Sequence, residues 1–246
     1  MKVLILAAGY GTRLQAISKN TAKPLLPING KPLIDFILDR IVDLKNLTEI
    51  IVVTNSKFYA DFQNWARSHK QVKIPIQVLN DGSTAPENRL GSIGDINFVL
   101  HQVKMEEDLL VVGGDNLFDY SLADYTFFAQ KNRPAATIGL YDIGNLSEAT
   151  KYGVVAIDAK GKVTSFEEKP PQPKSTFISM CCYYFPVASF SLVKRYLESS
   201  NKSDLAGDYI KWLSLNSEVY GFKFNGKWYD IGSVESYHEA QAKFKS

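Results

Sequence analysis

One stretch near the N-terminus limits what this chain can fold into. Val3-Leu4-Ile5-Leu6 is an unbroken apolar run, and Ala7, Ala8, Gly9, Tyr10, Gly11, Thr12 and Arg13 follow it. A short run without polar alternation reads as a strand buried on both faces. A chain that leaves a buried strand through glycines turns sharply and can bring its backbone N–H groups against a ligand. Phosphates are the usual guests of such loops. Arg13 and Lys23 add two cations within reach of the same spot. Two phosphate loops are excluded: the dinucleotide fingerprint needs a third glycine where Leu14 stands, and no Gly-Lys-Ser/Thr follows at Walker-loop spacing. A lone Gly-x-Gly is also met in plain tight turns, so the rest of the chain decides.

Downstream the pattern alternates. Residues 27–31 read as a turn or hairpin tip, and Pro32 suits the first residue of a helix. Leu33, Ile34, Ile37, Leu38, Ile41 and Leu44 then recur at helical spacing. Residues 50–54 form a second buried strand. Ser56 suits the N-cap of a helix whose Phe58, Phe62 and Trp65 belong to the core. Residues 76–79 and 109–112 give two more strands. This alternation predicts a parallel sheet with right-handed crossovers and ligands beyond the carboxyl ends of its strands. Residues 9–13, 80–84 and 113–116 then share one edge, where Asp115 either meets a ligand or caps a turn. Residues 121–131 read as a helix with Phe127 and Phe128 packing. From Ala135 the pattern changes: strands are expected over 136–141, 152–158, 161–166 and 177–185. A hairpin turn at 158–161 implies an antiparallel or mixed part of the sheet. Helices follow near 187–197 and 205–215, and Ser233 can cap a last one.

The chain has 246 residues, enough for one large α/β domain or two small ones. With 28 Lys and Arg against 26 Asp and Glu, nothing suggests a basic face for nucleic acid. No apolar run approaches the roughly 18 residues that span a membrane, and the N-terminus lacks a signal-peptide pattern. Cys181 and Cys182 are neighbours in an expected strand and point to opposite faces, so no ordinary disulfide joins them. No Cys or His cluster suggests zinc. The expectation is a cytoplasmic protein with reduced thiols.

The loop Gly-Tyr-Gly-Thr-Arg is followed ten residues on by Lys23-Pro24. Gly113-Gly114-Asp115, Glu167-Glu168-Lys169-Pro170 and Trp228-Tyr229-Asp230-Ile231-Gly232 come later, in that order. Together these motifs resemble the sugar-1-phosphate nucleotidyltransferases, glucose-1-phosphate thymidylyl- and uridylyltransferases among them, over nearly the whole chain. The resemblance implies an α/β fold: three layers, α/β/α, around a mostly parallel, mixed central sheet, Rossmann-like and of the glycosyltransferase-A type. It implies a single domain, 1–246, with a nucleotide-binding half, 1–134, and a sugar-binding half, 135–246. No hexapeptide repeats follow, so the C-terminal β-helix domain of some relatives is not expected.

The resemblance also assigns roles. Leu6, Ala7, Ala8, Gly9, Gly11, Thr12, Asn80, Asp81 and Gly91 would meet the nucleotide, and Arg13 and Lys23 would be the catalytic cations. Asp115 and Asp230 would hold Mg²⁺, and Gly153, Glu168, Lys169 and Tyr183 would take the sugar phosphate. The implied reaction joins a nucleoside triphosphate to a sugar-1-phosphate and releases pyrophosphate. The attacking phosphate, with a second pKa of about 6, is already largely ionised and needs no general base. His69, His101 and His238 indeed lie outside every motif. The resemblance leans to UTP or dTTP and leaves a homo-oligomer open; it gives no place to nucleic acid or membrane.

Two places depart from the family. The segment 80–94 is longer than the family's loop and reads equally as a surface turn rich in Gly, Ser, Asn and Pro. Cys181 stands where the family has a glycine, which would narrow the sugar pocket. Three rivals stay open. A metal-dependent glycosyltransferase would carry Asp-x-Asp where this chain has Asp115-Asn116-Leu117. A cytidylyltransferase acting on phosphocholine or another phospho-alcohol could cage a quaternary amine with Tyr152, Tyr183, Trp228 or Tyr229. A nucleotide-sugar sensor would bind without turnover, though Lys23 and both aspartates are present.

Overall fold

A computed structural model of the chain describes residues 1–18, 20–199 and 205–244. They divide into two compact units. The first comprises residues 1–91, 112–122 and 226–246, and the second residues 92–111 and 123–225. The α/β expectation, helices around a mixed and mostly parallel sheet, holds.

In the first unit the strands Lys2–Leu6, Glu49–Thr54 and Ile76–Asn80 run parallel, with Leu4 opposite Ile51 and Val52 opposite Val78. Val3, Leu4, Ile5 and residues Ile50, Ile51, Val52 and Val53 are fully buried, as unbroken apolar runs in a parallel sheet require. The crossover helices are Leu33–Ile41 and Tyr59–Ser68. Pro27–Ile28 and Lys31–Pro32 pair as the expected hairpin, with Asn29 and Gly30 both at positive φ, the demand of a tight two-residue turn. The helix therefore begins at Leu33, one residue after Pro32.

Ser56 is not the cap of the following helix. The helix begins at Tyr59 with Phe58 at its N-cap position and no side-chain cap. The Asn55 side-chain oxygen accepts the Phe58 N–H at 3.2 Å in the turn before it, while the Ser56 hydroxyl donates to Asn80 Oδ1. Phe58, Phe62 and Trp65 are buried as expected. A short ribbon, Asn116–Phe118 against Trp228–Asp230, brings residues distant in sequence side by side, and the helix Val234–Lys243 follows it. The Ser233 hydroxyl accepts from Ser236 N, the cap that the sequence suggested.

In the second unit Phe177–Phe185 pairs antiparallel with Ala136–Asp142, and Val163–Glu168 with Gly153–Ile157. Val219–Phe224 runs parallel to Ala136–Asp142. The hairpin turn lies at residues 158–161, where Asp158 Oδ1 accepts from Lys160 N and Lys162 N and Gly161 takes a φ of +83°. The helices are Ala123–Lys131, Phe190–Glu198 and Ala206–Asn216. Phe128 packs on Phe222, but Phe127 is 60% exposed with the Lys131 ammonium over its ring. Helical spacing puts Phe127 one residue round from the buried stripe, which explains the miss. Neither cysteine forms a disulfide, and burial pushes the Cys182 thiol up to about 12. Among the described residues no helix is long and apolar enough to cross a membrane.

Candidate active site

The first unit ties the motif residues to one apolar cluster. Leu14, Leu26, Leu117 and Ile231 are buried together, with Phe244 from the last helix against them. Each is a close sequence neighbour of a polar residue that the sequence singled out. Leu14 follows Arg13, Leu26 closes the turn that begins at Lys23, Leu117 lies two residues past Asp115, and Ile231 follows Asp230. Burying a leucine or isoleucine side chain stabilises by about 1.5–3 kcal/mol. Four separate chain segments are thereby pinned with their polar residues at one end of the unit.

The polar geometry follows. Lys23 Nζ stands 2.7 Å from Asp115 Oδ2 across 92 positions of sequence. Gly114 makes the approach possible: its N–H donates to Leu6 O at 2.9 Å, and a Cβ there would lie 2.7 Å from that oxygen and 2.9 Å from the Pro24 ring. The Asp230 backbone pairs with Asn116, and Ile231 N donates to Asp115 O at 3.0 Å. Trp228 Nε1 donates to Asn116 Oδ1 at 2.6 Å and holds that buried amide in place. Burial pushes the Asp115 carboxyl up, but the Lys23 ammonium, with help from Arg13, outweighs it. The net result is a carboxylate held below its ordinary value.

The glycine loop is fastened on one side. Ala7 N donates to Val53 O, and the buried Asn55 amide donates to Ala8 O, both at 2.9 Å. Gly11 needs its φ of +61°, and a Cβ on Gly9 would meet nothing within 4 Å, so the loop stays open to a ligand there. Thr12 and Arg13 are exposed at the start of a short helical turn. Asn55 was missed in the sequence, although it follows a buried strand at the same edge as Asp115 and Asp81.

Asn80 and Asp81 lie at the end of their strand. Asp81 is buried, and its carboxylate accepts the Ser83 N–H and hydroxyl at 2.7 Å each. Asn80 Oδ1 accepts from Gly82 N and from Ser56. The turn chemistry of these two residues is thus strong, and the Tyr10 hydroxyl reaches Ser83 at 3.4 Å. Gly91 opens the helix Gly91–Gln102 with a φ of +74°.

In the second unit Gly153 sits directly across the ladder from Glu168. Lys169 follows, with the unusual φ of +44° for a residue bearing a side chain, and its ammonium lies 3.7 Å from Glu168 Oε1. Its N–H donates to Tyr152 O. Glu168 also faces Gly207 and the charge of Asp208 from the helix Ala206–Asn216. Burial raises the Glu168 carboxyl, Lys169 lowers it, and Asp208 raises it again, so the net shift is upward. Tyr183 is buried, its ring against Phe185 and its hydroxyl pushed well up by burial. Nothing in the sequence pointed to Gly207 or Asp208, because the spacing of that segment is only that of an amphipathic helix.

The donor set in the first unit fits a hard divalent cation. The Asp115 carboxyl is held below its ordinary value, and the ribbon sets the Asp230 backbone against Asn116, the residue after Asp115. Both offer oxygen, which Mg²⁺ prefers. Among the described residues no group of three or more His, Cys, Asp or Glu side chains is arranged to hold a metal. Two carboxylates with the remaining ligands from phosphate and water is the usual manner of Mg²⁺ at nucleotide sites.

The chain is similar to known proteins over its whole length. The family model described as nucleotidyl transferase matches residues 2–246. A glucose-1-phosphate adenylyltransferase of Clostridium novyi is 30% identical over 256 residues, covering 98% of this chain. The chain spans 65% of that relative's length. Among solved structures, one assigned as a glucose-1-phosphate thymidylyltransferase of Bacillus anthracis, in complex with sucrose, superposes with a TM-score of 0.81 at 24% identity. It covers 98% of this chain and 94% of its own. A UDP-glucose pyrophosphorylase complexed with UDP-glucose superposes with the same TM-score at 23% identity, covering 99% and 97%. These two likenesses show the fold.

Proposed function

We propose a function from one premise: the chain belongs to the nucleotidyl transferase family. The reading is transfer of a nucleotidyl group from a nucleoside triphosphate to a sugar-1-phosphate, with release of pyrophosphate. The observation that carries it is the Lys23–Asp115 contact, which joins the cation that follows the glycine loop to the acidic strand end.

In this reading the glycine loop takes the triphosphate on its backbone, and Arg13, exposed beside it, neutralises the β- and γ-phosphates that leave. Lys23 lies where the reacting phosphate carries its charge. Asp115 orients Lys23 and, with Asp230, would hold Mg²⁺. When bound, that ion supplies charge neutralisation at the two phosphates that react. Glu168 accepts hydrogen bonds from sugar hydroxyls, and Lys169 binds the sugar phosphate. Gly153 and Tyr183 shape the wall behind them. Asn80, Asp81 and Gly91 border the base. In-line geometry and charge neutralisation are sufficient, because the nucleophile is already an anion.

UTP or dTTP is the donor that the motif pattern favours. ATP is the second reading, because the 30% identical relative carries an adenylyl name. The test is pyrophosphate release with Mg²⁺ over a grid of UTP, dTTP, CTP, GTP and ATP against several sugar-1-phosphates and phosphocholine. Release in one sugar column is the expected result and names both substrates. Release with CTP and phosphocholine alone moves the activity to the phospho-alcohol class, and nucleotide binding without any release marks a sensor. Either outcome overturns the proposal.

A further inference from the structure

Gly207 is the second residue of the helix Ala206–Asn216, and no left-handed φ calls for a glycine there. Glycine is a poor helix former, so its presence needs another cause. The cause is Glu168. A Cβ on Gly207 would lie 1.8 Å from Glu168 Oε2 and 2.5 Å from its Cδ. Gly153, opposite Glu168 in the ladder, leaves room for the same oxygen: a Cβ there would lie 3.1 Å from Oε2 and 2.4 Å from the Phe166 ring. Two glycines from separate elements thus give one carboxylate its slot, and the Glu168 side chain is only 17% exposed in it. The charged and titratable groups that face the slot are Lys169 from the strand end, Asp208 from the helix and Tyr183 from the strand Phe177–Phe185.

We propose that Gly207 is a positioning residue for sugar-phosphate recognition, its missing side chain fixing the Glu168 carboxylate in the orientation that meets the sugar hydroxyls. This rests on the reading of Glu168 given above. The atoms in the way of a methyl group at Gly207 are the far end of a flexible side chain. Alanine is therefore accommodated by turning Glu168 away, and the helix stays anchored through Tyr209 and Ile210, which are fully buried. The fold keeps its stability while the carboxylate loses its place.

The experiment measures KM for the sugar-1-phosphate and for the nucleoside triphosphate, and the thermal midpoint. The proteins are the wild type, Gly207→Ala, Glu168→Asp and the double variant. Gly207→Ala is expected to raise the sugar-phosphate KM about tenfold, with the triphosphate KM unmoved and the midpoint no lower than that of the wild type. Aspartate draws the carboxylate back by one methylene, so Gly207→Ala added to Glu168→Asp is expected to cost less than about threefold, the non-additivity of groups in contact. An unchanged sugar-phosphate KM in Gly207→Ala overturns the proposal, as does an equal loss for both substrates, additive effects in the double variant, or a variant that fails to fold. If the wild type turns over no sugar-1-phosphate, the functional reading fails and this inference with it. The wild-type measurement tells that failure from the others.

Discussion

Lys23 and Asp115 in the first unit stand 2.7 Å apart, and the lysine holds its partner's carboxyl below the ordinary value. Lys169 and Glu168 in the second unit stand 3.7 Å apart, and burial with Asp208 keeps that carboxyl above its ordinary value. The residue types are the same and the tuning is opposite. In the proposed reaction, a carboxylate that orients the Lys23 ammonium and offers oxygen to a divalent cation needs its charge at all working pH values. One that accepts hydrogen bonds from neutral hydroxyls gains from being buried and aimed, and its proton affinity rises as a consequence. The two pairs therefore answer to different experiments.

The largest effects belong to the first pair. Lys23→Ala and Asp115→Ala are each expected to lower kcat by on the order of 10²–10³ with little change in the circular-dichroism spectrum, the usual cost of losing one preorganised charge. Rates near the wild type in both would dissolve the distinction between the units. Asp230→Ala is expected to raise the Mg²⁺ concentration needed for half-maximal rate by about 10–100-fold and to leave the sugar-phosphate KM alone, as for a lost metal ligand. A titration in which Mg²⁺ dependence is unmoved removes Asp230 from the proposed metal site.

The second pair gives a smaller effect with two signs. Glu168 has a raised proton affinity in the fold, so its ionised form costs stability. The contribution is fully favourable below the ordinary glutamate value of 4.5 and is lost as the pH rises through the higher folded value. Glu168→Gln is neutral at every pH. At pH 7 it is expected to raise the thermal midpoint by about 1–3 °C while raising the sugar-phosphate KM about tenfold or more. The gain in midpoint is expected to vanish below pH 4.5. Asp115 runs the other way: its stabilising contribution is present above 3.8 and is lost as the pH falls through its own lower value. Midpoints measured from pH 3.5 to 8 separate the pairs, and parallel curves for Glu168→Gln and the wild type would show that burial does not tune Glu168.

The same contrast explains what could be seen in the sequence. The candidate site in the first unit was legible because Arg13, Lys23 and Asp115 ride on local punctuation: glycines after a strand, a proline after Lys23, two glycines before Asp115. What stayed hidden there was supplied by tertiary pairing. Asn55 reads as a loop residue until its amide is found on Ala8 O, and Asn116 reads as a bystander until Trp228 caps it. In the second unit Glu168-Lys169 was legible by motif, but its tuning was not. Gly207 and Asp208 come from a helix with no signal beyond its apolar spacing, and only the fold brings them to Glu168. Phe127 and Ser56 failed for local reasons, a face one residue off and a helix that starts only at Tyr59.

The smallest expected effect tests whether the first pair depends on the last helix. Gln241 Nε2 donates to Pro27 O and its Oε1 accepts from Asn29 N, both at 2.9 Å, which fastens the helix Val234–Lys243 to the hairpin just past Lys23. The Tyr237 hydroxyl donates to the same Pro27 oxygen at 2.7 Å, and Asn29 Nδ2 donates to Phe244 O, so Gln241→Ala leaves the clasp partly made. Three hydrogen bonds are lost in this way, the third from Gln241 Nε2 to the Tyr237 hydroxyl at 2.8 Å. Being largely exposed, they cost about 1 kcal/mol together, or about 2–4 °C in the midpoint. Turnover is expected to fall by less than about threefold, because the shared apolar cluster still sets Lys23 against Asp115. The sugar-phosphate KM has no reason to move, since Glu168 belongs to the other unit. A shift in that KM at an unchanged midpoint would mean that the two pairs are tuned together and not, as their opposite shifts indicate, each by its own surroundings.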